Sequence, residues 1–197
     1  MKQFTLTLLT LLPTLLLAQA VQLPLLGQWQ DTTLVGSRMF DNTYNEVWGI
    51  ARGGKEYAII GSTEGTHFID VTNPAEASEV FFVEGGTSGE AIIHRDYHDY
   101  GCYLYAVADE GSNSTLQIID LSDLPNSIEV VYDSKELIRR AHNIFIDSSA
   151  ARLYAMATMD GANWYEAIKI YDLSNPANPV LMAEYSSFQS VSVSHVH

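Results

Sequence analysis

The sequence predicts an all-β fold, a partial β-propeller of about three and a half four-stranded blades, and three observations lead there. First, one short phrase recurs: "FIDVTNPAEAS" from Phe68, "LQIIDLSDLPN" from Leu116 and "IKIYDLSNPANP" from Ile168. Aligned on Asp70, Asp120 and Asp172, the copies lie 50 and 52 residues apart, a spacing that belongs to repeat architectures and includes propeller blades. Second, the apolar runs are short and rich in Val, Ile, Tyr and Phe, which favours strands. Third, some runs are apolar on consecutive residues, as at Phe68 and Ile69 or Ile118 and Ile119. Such strands are covered on both faces. A β-sandwich is the competing arrangement. The period is long for a hairpin pair and right for a four-stranded blade.

Each unit reads as four strands in order. The first is "NEVWGIA" from Asn45, "IIHRDY" from Ile92 or "AHNIFID" from Ala141. The second ends in small residues: "YAIIGS" from Tyr57, "YLYAVA" from Tyr103 and "RLYAMA" from Arg152. A polar, Gly-containing turn follows ("STEG", "DEGSNS", "MDGAN"), then the phrase as the third strand. Its closing Asp, Ser/Thr, Asn and Pro suit a turn, because their side chains bond nearby backbone or preset φ. The second copy carries one extra residue before Pro125. The fourth strand is "SEVFFVE", "IEVVYDS" or "VLMAEYS". The one helical sign is a single turn near "SKELIRRA", and a fourth unit begins at "SHVH" from Ser194.

Residues 1–20 read as a secretory signal: Lys2, an apolar stretch from Leu8 to Leu17, and an Ala18-Gln19-Ala20 cleavage site. A membrane anchor is the competing reading. The run is short of the roughly 20 residues a spanning helix needs, and Pro13 interrupts it. Residues 21–44 are a lead-in and 45–197 the repeats. No later stretch reads as a transmembrane segment, so the expected location is extracellular, secreted or at the cell surface. Losing Lys2 leaves nine basic residues against 24 acidic ones. That charge repels phosphate backbones and anionic lipid, which disfavours nucleic-acid and membrane-surface partners. The single cysteine, Cys102, allows no internal disulfide and reads as a small buried hydrophobe.

The stretches "YNEVWGIARGGKEYAIIGSTEGTHFIDVTNP" and "RAHNIFIDSSAARLYA" closely resemble the bacterial choice-of-anchor B family, whose members are built from LVIVD-type propeller repeats. The similarity runs from about Trp29 to His197. It implies a secreted or surface-displayed propeller, in a family named for its varied C-terminal anchoring tails. Some relatives are described as regulatory P domain-containing proteins. The resemblance supplies no established enzymatic activity to carry over, and whether the chain is an enzyme stays open, with a non-enzyme the favoured expectation. This chain departs from it at His94-Arg95-Asp96, where the family usually has Trp-Arg-Asp, and in lacking a sorting tail and a full set of blades. The expectation is therefore an N-terminal fragment of a longer protein.

Four of the six histidines, His94, His142, His195 and His197, fall in the strand that opens each unit. In a propeller that strand lines the central channel, so these side chains should converge, with Asp96 and Asn143 nearby. Imidazole and carboxylate together suit a divalent transition metal or general acid–base work. The plainer alternatives are polar groups bonded to each other and to water, or repeat ancestry alone. The spacing matches no local zinc motif. "ADEGSNS" and "MDGAN" offer oxygens for calcium but lack the EF-hand pattern, and Asp-Gly also makes hairpin turns. No nucleophile motif, Walker loop or dinucleotide fingerprint is present. Trp48 and Trp164 are candidate stacking platforms or buried inter-blade rings.

The functional expectation is a non-catalytic module that binds a protein or glycan. The alternatives are a metal-dependent hydrolase or lyase with a histidine-lined channel, and a purely structural part of a larger exported protein.

Overall fold

The computed structural model describes residues 23–159 and 166–185, with Glu166 and Ala167 as backbone only. His195, His197, Trp164 and the leader lie outside the described residues. Among the described residues, twelve strands form three antiparallel four-stranded sheets, each a run of consecutive strands. The first holds β1 (Tyr44–Arg52), β2 (Lys55–Ser62), β3 (Gly65–Asp70) and β4 (Ser78–Glu84). The second holds β5 (Arg95–Tyr100), β6 (Tyr103–Ala108), β7 (Leu116–Asp120) and β8 (Glu129–Ser134). The third holds β9 (Asn143–Asp147), β10 (Arg152–Thr158), β11 (Glu166–Asp172) and β12 (Val180–Tyr185). The first strands of successive sheets are neighbours, β1 against β5 and β5 against β9. The sheets therefore stand as blades of a partial propeller with β1, β5 and β9 innermost.

The recurring phrase ends the third strand of every blade in the same way. Asp70, Asp120 and Asp172 each accept, through Oδ1, the backbone N–H two residues on, from Thr72 at 3.0 Å, Ser122 at 2.8 Å and Ser174 at 2.6 Å. The residue between bonds back to the hairpin joining the first two strands: Val71 N to Glu56 O, Leu121 N to Cys102 O and Leu173 N to Ala151 O. An aspartate able to make such a turn stops the strand and redirects the chain. In the first blade Lys55 Nζ adds a 2.7 Å ion pair, and these bonds hold the Asp70 carboxyl down at about 2. The extra residue of the second phrase, Leu124, is buried between the first two blades. Its carbonyl lies 2.5 Å from where a Cβ on Gly53 would stand. Gly53, at φ +62°, accepts both that approach and the left-handed backbone.

Two layers of core sit between the three blades. Tyr57, Ile59, Phe68 and Val83 of the first blade pack on Tyr97, Leu104, Ala106 and Ile119 of the second. The opposite face of the second, with Tyr105, Val107, Leu116 and Ile118, packs on Ile144, Ile146, Leu153, Ala155 and Tyr171 of the third. Ile118 and Ile119 are both fully buried because they face different neighbours. On the outer face of the first blade, Leu26 and Trp29 of the lead-in line a cleft with Ala58, Ile60 and Ile69.

Three sequence expectations need correction. The stretch near "SKELIRRA" contains no helix: Ser134 ends β8, Lys135–Leu137 is a turn, and Ile138–Ala141 is irregular with a bend at Arg139. Its backbone is held by other segments, Leu116 N bonding to Ile138 O and Ala141 N to Ala108 O, while Ile138 and Ala141 are buried in the core. Cys102 is half-buried, not buried, because it sits in the β5–β6 hairpin, where Arg52 Nη1 lies 3.1 Å from its sulfur. The opening strands of the second and third units start at Arg95 and Asn143, one residue after His94 and His142, so those histidines stand just outside the strands.

Replacing Ile118 with Ala should destabilise the chain by about 2–5 kcal/mol, whereas Val131→Ala on the exposed face of β8 should stay within about 0.5 kcal/mol. Equal urea midpoints for the two variants would contradict this packing. Burial also lifts the Tyr97 hydroxyl from the ordinary 10.0 to about 12. Its contribution to stability is therefore complete below pH 10 and lost as the pH rises toward 12, because only the unfolded chain ionises there. Denaturation curves from pH 8 to 11 should fall less steeply for Tyr97→Phe than for the parent.

Candidate functional site

Counting from the paired aspartates gives the true equivalence of the inner strands. Asp70, Asp120 and Asp172 pair with Tyr57, Tyr103 and Arg152, which pair with Ile50, Tyr100 and Asp147. Two residues earlier stand Trp48, His98 and Phe145, one ring per blade at one register position. They touch in sequence: Trp48 to His98 at 4.6 Å between centroids and His98 to Phe145 at 5.6 Å, edge-on. Trp48 Nε1 donates to Asp99 Oδ1 at 2.9 Å and His98 Nδ1 donates to Asp99 O at 3.1 Å, so both polar rings are pinned. Trp48 is half-buried, and Phe145 is 52% exposed.

By the same count His142 matches Arg95, so His94 and His142 are one position out of phase. Their rings nevertheless lie 5.1 Å apart. The chain enters the two inner strands differently and the offset brings the imidazoles together, so their meeting does not follow from repeat ancestry. Each ring is held by an acid on the turn after β6. His94 Nδ1 donates to Glu110 Oε1 at 2.6 Å, and His142 Nδ1 donates to Asp109 Oδ2 at 2.7 Å. An ionised carboxylate only accepts, so each neutral imidazole keeps its proton on Nδ1 and its lone pair on Nε2. A ligating atom of each of His94, Asp109 and His142 lies within 4.8 Å of the others, and this is the group of metal-ligand type among the described residues.

The support behind these groups is fixed. Glu110 Oε2 also accepts the backbone N–H groups of Ile93 at 3.0 Å and His94 at 2.9 Å. Asp109 N bonds to His94 O, Arg140 Nε donates to Asp109 O, and His142 N bonds to Met156 O. Sequence reading took Asp109 and Glu110 as turn residues or calcium oxygens within "ADEGSNS" and missed their pairing with the histidines. The available signal was two consecutive acids closing "YLYAVA", placed by hairpin pairing beside the start of β5.

Asp96, grouped with the histidines in the sequence, is engaged elsewhere. Its Oδ2 accepts Ile144 N at 2.6 Å from the next blade and its Oδ1 accepts Tyr97 N at 3.0 Å. Burial raises its pKa, opposed by those bonds. Arg95 is buried against the preceding blade, its guanidinium donating to the carbonyls of Ser62 at 2.8 Å, Thr63 at 3.3 Å and Thr87 at 2.8 Å.

A third arrangement has the connectivity of a hydrolytic relay. Ser62 Oγ lies 2.8 Å from His67 Nε2, and His67 Nδ1 donates to Glu79 Oε2 at 2.6 Å. Ser62 is 0% exposed, and its oxygen accepts the N–H groups of Glu64 at 3.1 Å and Gly65 at 3.2 Å. An oxygen so bonded and so enclosed cannot reach a substrate. It caps the β2–β3 hairpin, with His67 wedged between Trp29 and Phe82.

Among the described residues no helix is long and apolar enough to cross a membrane. No curated protein and no solved structure matches the chain. The family model described as the LVIVD repeat matches residues 162–187, which carry the third phrase, β11 and β12. The third blade of this all-β chain therefore contains an LVIVD repeat.

Proposed function

We propose that the chain is the exported, propeller-type portion of a choice-of-anchor B protein, secreted or held at the cell surface, and acts as a non-catalytic binding module for a protein or glycan. The observation that carries the binding reading is the row Trp48, His98 and Phe145 along the inner strands. Trp48 and His98, pinned by Asp99, and the neighbouring Phe145 present apolar faces at little entropic cost, which suits stacking against a sugar ring or a partner's side chain. The export reading rests on the leader and its Ala18-Gln19-Ala20 site. A formal charge of −14 works against polyanionic ligands such as nucleic acid. A second reading, a metal-dependent hydrolase or lyase, is favoured by one feature, the paired imidazoles of His94 and His142.

Probing glycan and cell-surface-protein arrays with the purified chain should reveal capture that Phe145→Ala and His98→Ala weaken by at least about tenfold, a loss of roughly 1.4 kcal/mol. Capture indifferent to both changes, or none on either array, would overturn the reading. Mass spectrometry of protein released from cells expressing the intact sequence should find Val21 as the first residue. A released chain that still begins at Met1 would contradict the leader assignment.

A further inference from the structure

We infer that His94, Asp109 and His142 form a binding site for a divalent transition metal at the seam between the second and third blades. The site is distinct from the aromatic row and stands whether or not that row binds a ligand.

Four observations carry it. Two imidazoles from different blades stand with ring centroids 5.1 Å apart. Both are near half exposure, 45% and 46% at the side chain, so solvent and ions reach them. A ligating atom of each histidine and of Asp109 falls within one 4.8 Å group, which small side-chain rotations close to the spacing of donors around one ion. Finally, His94 donates Nδ1–H to Glu110, a pairing characteristic of metal-ligating histidines because the outer carboxylate fixes tautomer and orientation. His142 Nδ1 and Asp109 Oδ2 stand 2.7 Å apart, a spacing that two donors on one ion can keep once the ion displaces the proton between them.

Donor chemistry selects the class of ion. Two imidazole nitrogens with one carboxylate oxygen suit zinc, copper, nickel or ferrous iron, whereas calcium and magnesium prefer shells made of oxygen. Three protein donors leave coordination positions for water or an outside ligand. Glu110 is a positioning residue. Its Oε1 holds His94 Nδ1 and its Oε2 holds the Ile93 and His94 N–H groups, so His94 offers Nε2 to the ion. Salt-bridge pairing alone gives no reason for the two imidazoles to approach one another, since each acid would be satisfied by its own partner with the rings apart.

The test uses the full chain carrying His195→Ala and His197→Ala, so that the His-x-His end cannot bind metal by itself. After chelator treatment, calorimetric titration with zinc should give one equivalent bound, with calcium producing no heat and no competition. His94→Ala and His142→Ala should each abolish that binding, and Glu110→Gln should weaken it roughly 10–100-fold. Cobalt should give visible ligand-field bands in the parent that are lost in the His142 variant. If a variant misfolds, ¹⁵N-histidine NMR of the unaltered imidazoles decides, since zinc should shift two rings together. Absence of saturable zinc binding, binding that survives both histidine replacements, or zinc that leaves both rings unshifted overturns the site. An ion held adventitiously by scattered surface acids would produce the second of those results.

Discussion

A four-stranded sheet whose strands are apolar on both faces cannot conceal either face by itself, and that constraint organises everything else here. Ile118 and Ile119 are neighbours in sequence and point oppositely, yet both are fully buried. This is satisfied only when the second blade has a partner on each side. Removing apolar area from water contributes about 25 cal/mol per Å², and the two inter-blade layers are where most of that area is lost. The inner strands approach one another because the faces they belong to must meet. The row of inner strands is thus a consequence of packing between blades.

Apolar packing alone would let blades slide, and the polar groups at the seams prevent it. Arg95 fastens the second blade to the Ser62 and Thr63 carbonyls of the first and to Thr87 O in the connection between them. Asp96 accepts the Ile144 N–H of the third. Gln117 reaches Glu84 O, and Tyr105 donates to Pro176 O at 2.7 Å. Each is directional and mostly buried, so a shift of register would leave a donor or acceptor unpaired at roughly 1–3 kcal/mol. The seams are therefore stiff, and side chains mounted on them are held in place without a ligand.

Much of this was legible in the sequence because the repeat is written in short-range chemistry. An aspartate followed two residues later by Ser or Thr can close a turn through local bonds alone, so Asp70, Asp120 and Asp172 marked their strand ends correctly. Consecutive apolar residues at Phe68–Ile69 and Ile118–Ile119 announced two-sided burial for the same local reason. The misses involve contacts distant in sequence. Nothing near Lys135–Ala141 shows that its backbone bonds will be taken by Leu116 and Ala108. The partnership of His142 with Asp109 spans 33 residues and depends on which face of the hairpin turn meets the next blade. The histidine phase misled because it counted along the chain, while the pairing ladder shows that His94 and His142 do not occupy equivalent places.

That last mismatch explains why the imidazole pair sits at one seam and not the other. By register Thr63 and Asp109 are equivalent, as are Glu64 and Glu110. Between the first and second blades, Arg95 lies over this turn and draws on the Ser62, Thr63 and Thr87 carbonyls, so a cation already fills the place. Between the second and third, Arg140 takes over the carbonyl of Asp109 from a position two residues before His142. The Asp109 carboxylate is left to His142, and the longer turn after β6 lets Glu110 fold back onto His94. Turns between strands tolerate such changes in length and composition while the packed faces do not. The imidazole pair accordingly stands where one seam departs from the repeat, on backbone that the repeat still holds.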